Sequence, residues 1–204
     1  MEDSPENIFG RYSQATAKFS ALMQRVGETL NQLNQRLEKS LEIDAQIRGK
    51  ILIYSIAVET SLDEFLASYF CRDPETKKLF QSTILKGLNL PRKIDTVDTI
   101  LKRNHPDLHK EHSSLKGNLK EILERRNKLA HSEPSRSIID QMMNLENEQL
   151  TLETFENGEE KPFIITKKDA DEFVRQMKAT MEELSTLSEL LASPKVGQSK
   201  LLSS

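Results

Sequence analysis

A narrow apolar stripe near the N-terminus limits most strongly the folds open to this chain. From Phe19 to Leu41 its apolar residues are spaced by 4, 3, 4, 3, 4 and 4 positions, as in a helix that buries a thin seam in a coiled coil. A second stripe of helical period runs from Ile47 to Tyr69 and has more apolar residues on its flank, which is typical of a central bundle helix. We therefore predict helices over about 12–44 and 46–70, the second ended by Pro74.

The rest of the chain predicts more helices and one change of period. Helical patterns extend over about 75–86, from Pro91 to the "RNHPD" break, over 107–131 and over 167–192. The segments "EQLTLETF" and "PFIIT" alternate as strands do, and the sequence Asn157-Gly158 between them favours a tight turn. Thr166 and Asp169 resemble a capping box at the start of the last helix.

These patterns predict an all-α protein, a helical bundle with long N- and C-terminal helices and one small β-hairpin before the last helix. We expect one domain over 11–192, with core helices in 46–132, the hairpin at 147–166 and the C-terminal helix at 167–192. Residues 1–10 are expected to be disordered and 193–204 to form a flexible tail. The two long terminal helices are expected to pair antiparallel, or to dimerise.

Composition indicates the class of protein. The longest apolar run, residues 51–58, is far shorter than the roughly 20 residues of a membrane span. The polar, acidic start is unlike a signal peptide, and the single Cys71 excludes an internal disulfide. We therefore expect a soluble cytoplasmic protein. The net charge of −3 argues against a general nucleic-acid coat protein, but residues 72–128 hold 14 Lys and Arg against 8 Asp and Glu, which permits a surface that faces phosphate.

The stretch "ERRNKLAHSEP", residues 124–134, places a charge where an apolar residue is expected. On a helical wheel Arg126 falls among the apolar positions Leu115, Leu119 and Ile122. Asn127 and His131 lie one turn apart along the adjoining edge. A buried guanidinium is costly unless it is paired or has a function. In the simplest alternative Arg126 extends to solvent or pairs with a carboxylate such as Glu59, and His131 only ends the helix.

The Arg126-Asn127-x-x-Ala130-His131 pattern at a helix end, after an earlier helix with "AVETSLDEFL", resembles the HEPN superfamily of α-helical domains. The likeness covers about residues 47–132, with a looser one in the hairpin and last helix. It implies a metal-independent endoribonuclease, a toxin or prokaryotic defence nuclease, whose site forms from two motif copies in a homodimer and uses no cofactor. An antitoxin or another defence protein is a possible partner.

The resemblance gives each motif residue a role that its chemistry supports. Histidine changes protonation near neutral pH, so His131 is expected to move a proton at the ribose 2′-OH or the leaving 5′-oxygen. Arg126 would hold the scissile phosphate, and Asn127 would orient the histidine or the phosphate. These are the predicted catalytic residues. Glu59 is the expected supporting residue behind them, and the cations expected to bind substrate are Arg125 and Lys128.

Other readings of the sequence remain open. The tyrosine that one HEPN subgroup has two residues after the histidine is Glu133 here, so control by modification of that tyrosine is not expected. The chain is alternatively a non-catalytic HEPN module that binds a nucleotide, a phosphate or a protein, or an unrelated helical scaffold. His105, His109 and His112 are expected to be solvated rather than to bind a metal.

Overall fold

The computed structural model describes residues 5–135, 137, 148–156 and 159–192. In chain order the elements are α1 (Pro5–Phe70), α2 (Pro74–Thr83), a 3-10 turn (Leu85–Gly87), α3 (Leu90–Asn104), α4 (Pro106–Glu111), α5 (Leu115–His131), β1 (Glu133–Pro134), β2 (Gln149–Glu156), β3 (Glu159–Thr166) and α6 (Lys167–Ala192). The predicted all-α class with a hairpin before the last helix is confirmed. The predicted turn at 157–158 and the tail at 193–204 lie outside the described residues.

Helix α1 is one continuous helix of 66 residues, about 100 Å long at 1.5 Å per residue. The break expected near residue 45 is therefore wrong. No proline interrupts this stretch, and an ion pair from Arg48 to Asp44, four residues apart, spans the expected break. The helix also begins at Pro5, inside the segment expected to be disordered, because proline suits the first helical turn. Residues 1–4 lie outside the described residues.

Short polar segments end the middle helices. Asp73 caps α2 by accepting hydrogen bonds from the N–H groups of Glu75 and Thr76, and Asn89 caps α3 in the same way. The helix expected over 107–131 is in fact two helices, α4 and α5. A turn at 112–114 separates them, since serine competes with the helix for backbone hydrogen bonds.

The second half of α1 is the centre of the body, by which we mean residues 43–70 of α1 with all the later elements. Contacts from Lys50 to Asp171 and from Ser55 to Met177 show that α6 runs parallel to α1. The first of the two arrangements expected for the terminal helices, an antiparallel pair, is therefore wrong, because α6 packs on the second half of α1 rather than along residues 16–39, which are exposed. Helix α5 is antiparallel to α6, with Glu121 bonded to Gln176 and His112 to Glu183. Fully buried side chains at this centre are Ile51, Leu62, Phe65, Ile122, Phe173 and Met177.

The hairpin covers one end of this core. Its strands pair antiparallel with Leu150 opposite Ile165 and Leu152 opposite Phe163, and β1 extends the sheet in the order β1-β2-β3. Leu150, Leu152 and Ile165 are buried. The predicted capping box is confirmed, because the Asp169 N–H donates to Thr166 Oγ1 and the Thr166 N–H donates to Asp169 Oδ2, both at 3.0 Å. None of the helices in the described part of the chain is long and apolar enough to cross a membrane.

Candidate functional site

The motif residues lie on the last two turns of α5. Arg126 and Asn127 are half-buried, and His131, the last residue of the helix, is exposed. The buried residues of α5 are Leu115, Leu119, Ile122 and Leu129. The apolar stripe therefore lies further toward Leu129 than expected, and Ala130, which also falls beside Leu119 on a helical wheel, is exposed. A small side chain beyond the last buried position has little apolar surface to bury.

Arg126 and Asn127 are bonded to each other. Nη1 of Arg126 donates to Oδ1 of Asn127 at 3.1 Å. Asn127 therefore orients the guanidinium in this structure, whereas the sequence led us to expect it to orient His131 or a phosphate. Among the ion pairs of the described residues none joins Arg126 to a carboxylate. The guanidinium thus keeps donors for another acceptor, since it carries five N–H groups.

The neighbouring cations contact aromatic rings of α6 and the hairpin. The guanidinium of Arg125 lies 4.7 Å from the centre of the Phe173 ring and pairs with Glu121 at 2.8 Å. Nζ of Lys128 lies 5.9 Å from the centre of the Phe163 ring. Cation–ring contacts of this kind contribute about 0.5–1 kcal/mol at exposed sites. Both side chains are therefore held against α6 and the hairpin, close along the chain to Arg126.

Arg48 of α1 anchors the end of the motif helix, and the sequence analysis missed it. Its Nη1 donates to the carbonyl oxygens of Leu129 and Ser132 at 2.7 and 2.9 Å. The last carbonyls of a helix have no partner within the helix and form its negative pole, so a cation there is stabilising. Within the described residues, the neighbouring Nη2 of Arg48 and Oγ of Ser132 are buried without a hydrogen-bond partner.

Glu59, the expected supporting residue, is bonded to α3 instead of α5. Its Oε1 accepts from Nζ of Lys93 at 2.9 Å, and Asp63 Oδ2 accepts from the same ammonium at 3.0 Å. Lys93 is only 3% exposed. Burial would lower the pKa of Lys93, but its hydrogen bonds to Asp63 and Glu59 raise that pKa above the ordinary value. The two carboxylates thus hold a charged lysine in the wall of the core.

An open groove of about 470 Å³ lies beside this ion pair, lined by Glu59, Asp63, Lys78, Gln81, Ser82, Lys86 and Lys93. The alternative in which Glu59 pairs with Arg126 is not seen, because each has another partner. No signal within the sequence identified Lys93, since its position resembles any exposed lysine of a first helical turn.

The three histidines of 105–112 have separate partners. Nε2 of His109 lies 3.1 Å from Oδ1 of Asp98, and Nδ1 of His112 lies 2.7 Å from Oε1 of Glu183. His105 packs edge-on against the Tyr69 ring. All three are half-buried, so the expectation that they are solvated is wrong. The described residues contain no group of three side chains placed to hold a metal ion.

The arrangement at the end of α5 combines an oriented arginine, an exposed histidine and a fixed helix terminus. A guanidinium binds phosphate oxygens through paired hydrogen bonds, and an imidazole moves protons near neutral pH. No model of a protein family matches the chain, and neither a curated protein nor a solved structure matches it.

Proposed function

We propose that the chain is an endoribonuclease that cleaves RNA at the end of α5 without a metal ion, and that it acts as a homodimer. The observation that carries this proposal is the pairing of Arg126 with Asn127 beside the exposed His131. Arg126 is half-buried and has no carboxylate partner among the described residues, so binding of a phosphate does not first require an ion pair to break.

The reaction uses the ribose 2′-OH as nucleophile. A base takes the 2′-OH proton, the 2′-oxygen attacks phosphorus, and the bond from phosphorus to the 5′-oxygen breaks as an acid gives that oxygen a proton. The products carry a 2′,3′-cyclic phosphate and a 5′-OH. His131 supplies one of the two proton transfers, and the His131 of a second copy supplies the other. Arg126 offsets the charge that develops on the phosphate oxygens.

The neighbouring elements keep this site in place. Arg48 ties the carbonyls of Leu129 and Ser132 to α1, so the turn that bears His131 is anchored to the longest helix. Arg125 and Lys128 add positive charge close along the chain. The charge of Arg125 is already offset by its pairing with Glu121, whereas Arg126 has no ion pair with a carboxylate among the described residues.

The test is cleavage of a labelled RNA panel with chelator present. We expect wild type to leave 2′,3′-cyclic phosphate ends. His131→Ala and Arg126→Ala should each lose at least about 100-fold in rate, the first through loss of a proton-transfer group and the second through loss of the charge that stabilises the transition state. Arg103→Ala is the matched control, because Arg103 is exposed at the opposite end of the body, one residue before the Asn104 that bonds Tyr69. RNA with a single 2′-deoxy linkage at the cleavage position should stay intact.

A second candidate function is a non-catalytic module that binds phosphate. It is favoured by the state of His131, because no hydrogen bond among the described residues supplies its ring with the orienting partner that a proton-transfer group usually has. In that case folded wild-type protein binds RNA without cutting it. Binding would then weaken in Arg126→Ala and stay unchanged in His131→Ala, an outcome that rejects the nuclease.

A further inference from the structure

The first half of α1 exposes an apolar surface that no other described element covers. We call residues 14–41 the arm. Every side chain from residue 16 to residue 39 is exposed. Large apolar side chains in the arm are between 43% and 64% exposed: Phe19, Leu22, Met23, Val26, Leu30, Leu33, Leu37 and Leu41. A contiguous exposed apolar stripe of this length marks an interaction surface on a folded protein.

The stripe has the spacing of a coiled-coil seam. Its core positions alternate between a positions (Thr16, Met23, Leu30, Leu37) and d positions (Phe19, Val26, Leu33, Ser40). The residues that flank such a seam usually carry the charges that select partners. Here the flanking positions are Ala15, Ser20, Leu22, Gly27, Thr29, Asn34, Arg36 and Leu41. With Arg36 as the one charge among them, two identical arms meet almost no like-charge repulsion.

The seam continues the face of α1 that packs in the body. On a helical wheel Leu30 and Leu37 fall in line with Ile51, Ser55 and Leu62. In the body this face is covered by α6, which begins at Lys167, one turn before the level at which its Asp171 contacts Lys50. Beyond that level the described residues leave the seam open. A helix packed along the arm would therefore lie in line with α6 of the body.

We propose that this position is filled by the arm of a second copy of the chain, running antiparallel to the first. Each body packs on the seam side of its own α1. In a parallel pair the two bodies would therefore lie at the same end, between the two facing helices, where they would overlap. An antiparallel pair places the bodies at opposite ends. This contact does not rest on the proposed ribonuclease activity.

One register matches every a position with a d position. Phe19 then faces Leu37 of the second copy, Met23 faces Leu33, and Val26 faces Leu30, and each layer occurs twice across the two-fold axis. Thr16 and Ser40 form the two outer layers. The three apolar layers each join one leucine to a different apolar side chain, so the seam contains no buried charge.

The buried area is sufficient for a stable pair. Full burial of one large apolar side chain removes roughly 60–120 Å² of apolar surface from water. This area corresponds to a transfer free energy of about 25 cal/mol for each Å². Eight such side chains in each copy therefore give on the order of 1,400 Å² in total, within the roughly 1,200–2,000 Å² of specific protein interfaces.

The body has a cavity at the level that the N-terminal turns of the partner's α1 would reach. A cavity of about 160 Å³ lies where the arm meets the body, lined by Ile43, Gln46, Ile47, Lys50, Glu148, Lys167, Ala170 and Asp171. In the matched register the first turns of the partner's α1 come level with Ile43 and Ile47. The N-terminal end of the partner's helix would therefore lie beside this cavity.

The first experiment measures molar mass by light scattering. We expect wild type to contain two chains, or a multiple of two, and the double variant Leu30→Glu with Leu33→Glu to have half the wild-type mass. The matched control is Gln32→Glu with Gln35→Glu, which adds the same charge on the opposite face of the arm. Hydrogen exchange in α5 and α6 should be unchanged in both. A monomeric wild type, a seam variant that keeps its mass, or a control that loses it overturns the proposal.

The second experiment tests direction by disulfide formation in a Cys71→Ser background. Mixing Phe19→Cys protein with Leu37→Cys protein should give a cross-linked pair, and neither should cross-link alone. Phe19→Cys joining to itself would overturn the antiparallel arrangement, and no cross-link in any combination would overturn the pairing. RNA cleavage provides the separation from the proposed function. If the motif ends join through a different contact, wild type contains four chains, and the seam variant, which then keeps two, should still cut RNA.

Discussion

The two halves of α1 share an apolar stripe of helical period and lie in opposite environments. In the body Ile51, Val58 and Leu62 are at most 1% exposed, whereas in the arm Leu30 and Leu33 are 56% and 45% exposed. Both sets lie along one face of one helix. The period of apolar residues thus predicts a helix and the face that it buries. Which element covers this face depends on where the rest of the chain packs.

The arm also differs from the body in how its helix is stabilised. Local interactions in the arm include a hydrogen bond from Gln24 to Glu28, and side-chain pairs of this kind contribute about 0.2–0.5 kcal/mol each. Gly27 costs about 1 kcal/mol relative to alanine in a helix interior. Most helix stability in proteins comes from tertiary packing of the apolar face. We therefore expect the arm's helix to depend on the second copy, whereas the second half of α1 is supported by its own chain.

The largest difference in the free energy of unfolding should come from comparing one leucine-to-alanine substitution in each half of α1. Leu62→Ala removes a fully buried side chain and should lower the free energy of unfolding of the body by about 2–5 kcal/mol. Leu33→Ala should change it by less than about 0.5 kcal/mol at a concentration where the chain is monomeric. Urea denaturation followed by a probe in α6 measures both values.

The same pair of variants provides its own control at high concentration. There Leu33→Ala should weaken association while Leu62→Ala leaves the association of folded protein unchanged. Equal losses of body stability from the two variants would mean that the arm folds back on its own body, and would remove the contrast between the halves.

A second contrast concerns charge in the wall of the body. Lys93→Met leaves Glu59 and Asp63 facing each other without their shared ammonium, and we expect a loss of about 2 kcal/mol. Breaking a fully buried ion pair costs roughly 3–5 kcal/mol, but Glu59 and Asp63 are 36% and 26% exposed. Thermal or urea unfolding measures this loss. Exposed Lys39→Met in the arm is the control and should have no measurable effect.

The pH dependence of this pair has a definite sign. The pKa of Lys93 is raised in the folded state, so its stabilisation is complete below the unfolded value near 10.4. Stability is lost as the pH rises through the folded pKa. Wild type should therefore weaken more than Lys93→Met on going from about pH 9 to pH 11, and parallel curves would contradict the assigned role.

The sequence predicted the elements whose signals are local. The hairpin before the last helix, the Thr166–Asp169 cap and the helix at 167–192 are confirmed. Features that depend on distant residues were wrong or missed. The parallel packing of α6 on α1 is one, and the contact of Arg48 with carbonyls more than 80 positions away is another. The wheel predicted that Arg126 faces inward, but it could not predict that Asn127 would be its partner.

Arg48 lies where the two halves of α1 meet, and its substitution should lower stability less than Leu62→Ala or Lys93→Met does. Arg48→Met removes two hydrogen bonds to the end of α5 and the ion pair with Asp44. We expect the free energy of unfolding to fall by about 1–2 kcal/mol, because the freed carbonyls at a helix end regain hydrogen bonds with water. Hydrogen exchange at residues 128–132 should rise while that of α3 stays the same.

If the end of α5 is the nuclease site, the effect of Arg48 on activity should exceed its effect on stability. Arg48 touches no substrate and acts by positioning the turn that bears His131, so Arg48→Met should lower kcat about tenfold with little change in KM. Arg48→Lys should recover only part of this loss, since one ammonium cannot reproduce the planar fork of a guanidinium. Lys50→Met is the matched control, because the exposed pair of Lys50 with Asp171 contributes less than about 1 kcal/mol. If kcat falls only in proportion to the free energy of unfolding in both Arg48→Met and Lys50→Met, Arg48 stabilises the fold without positioning the motif.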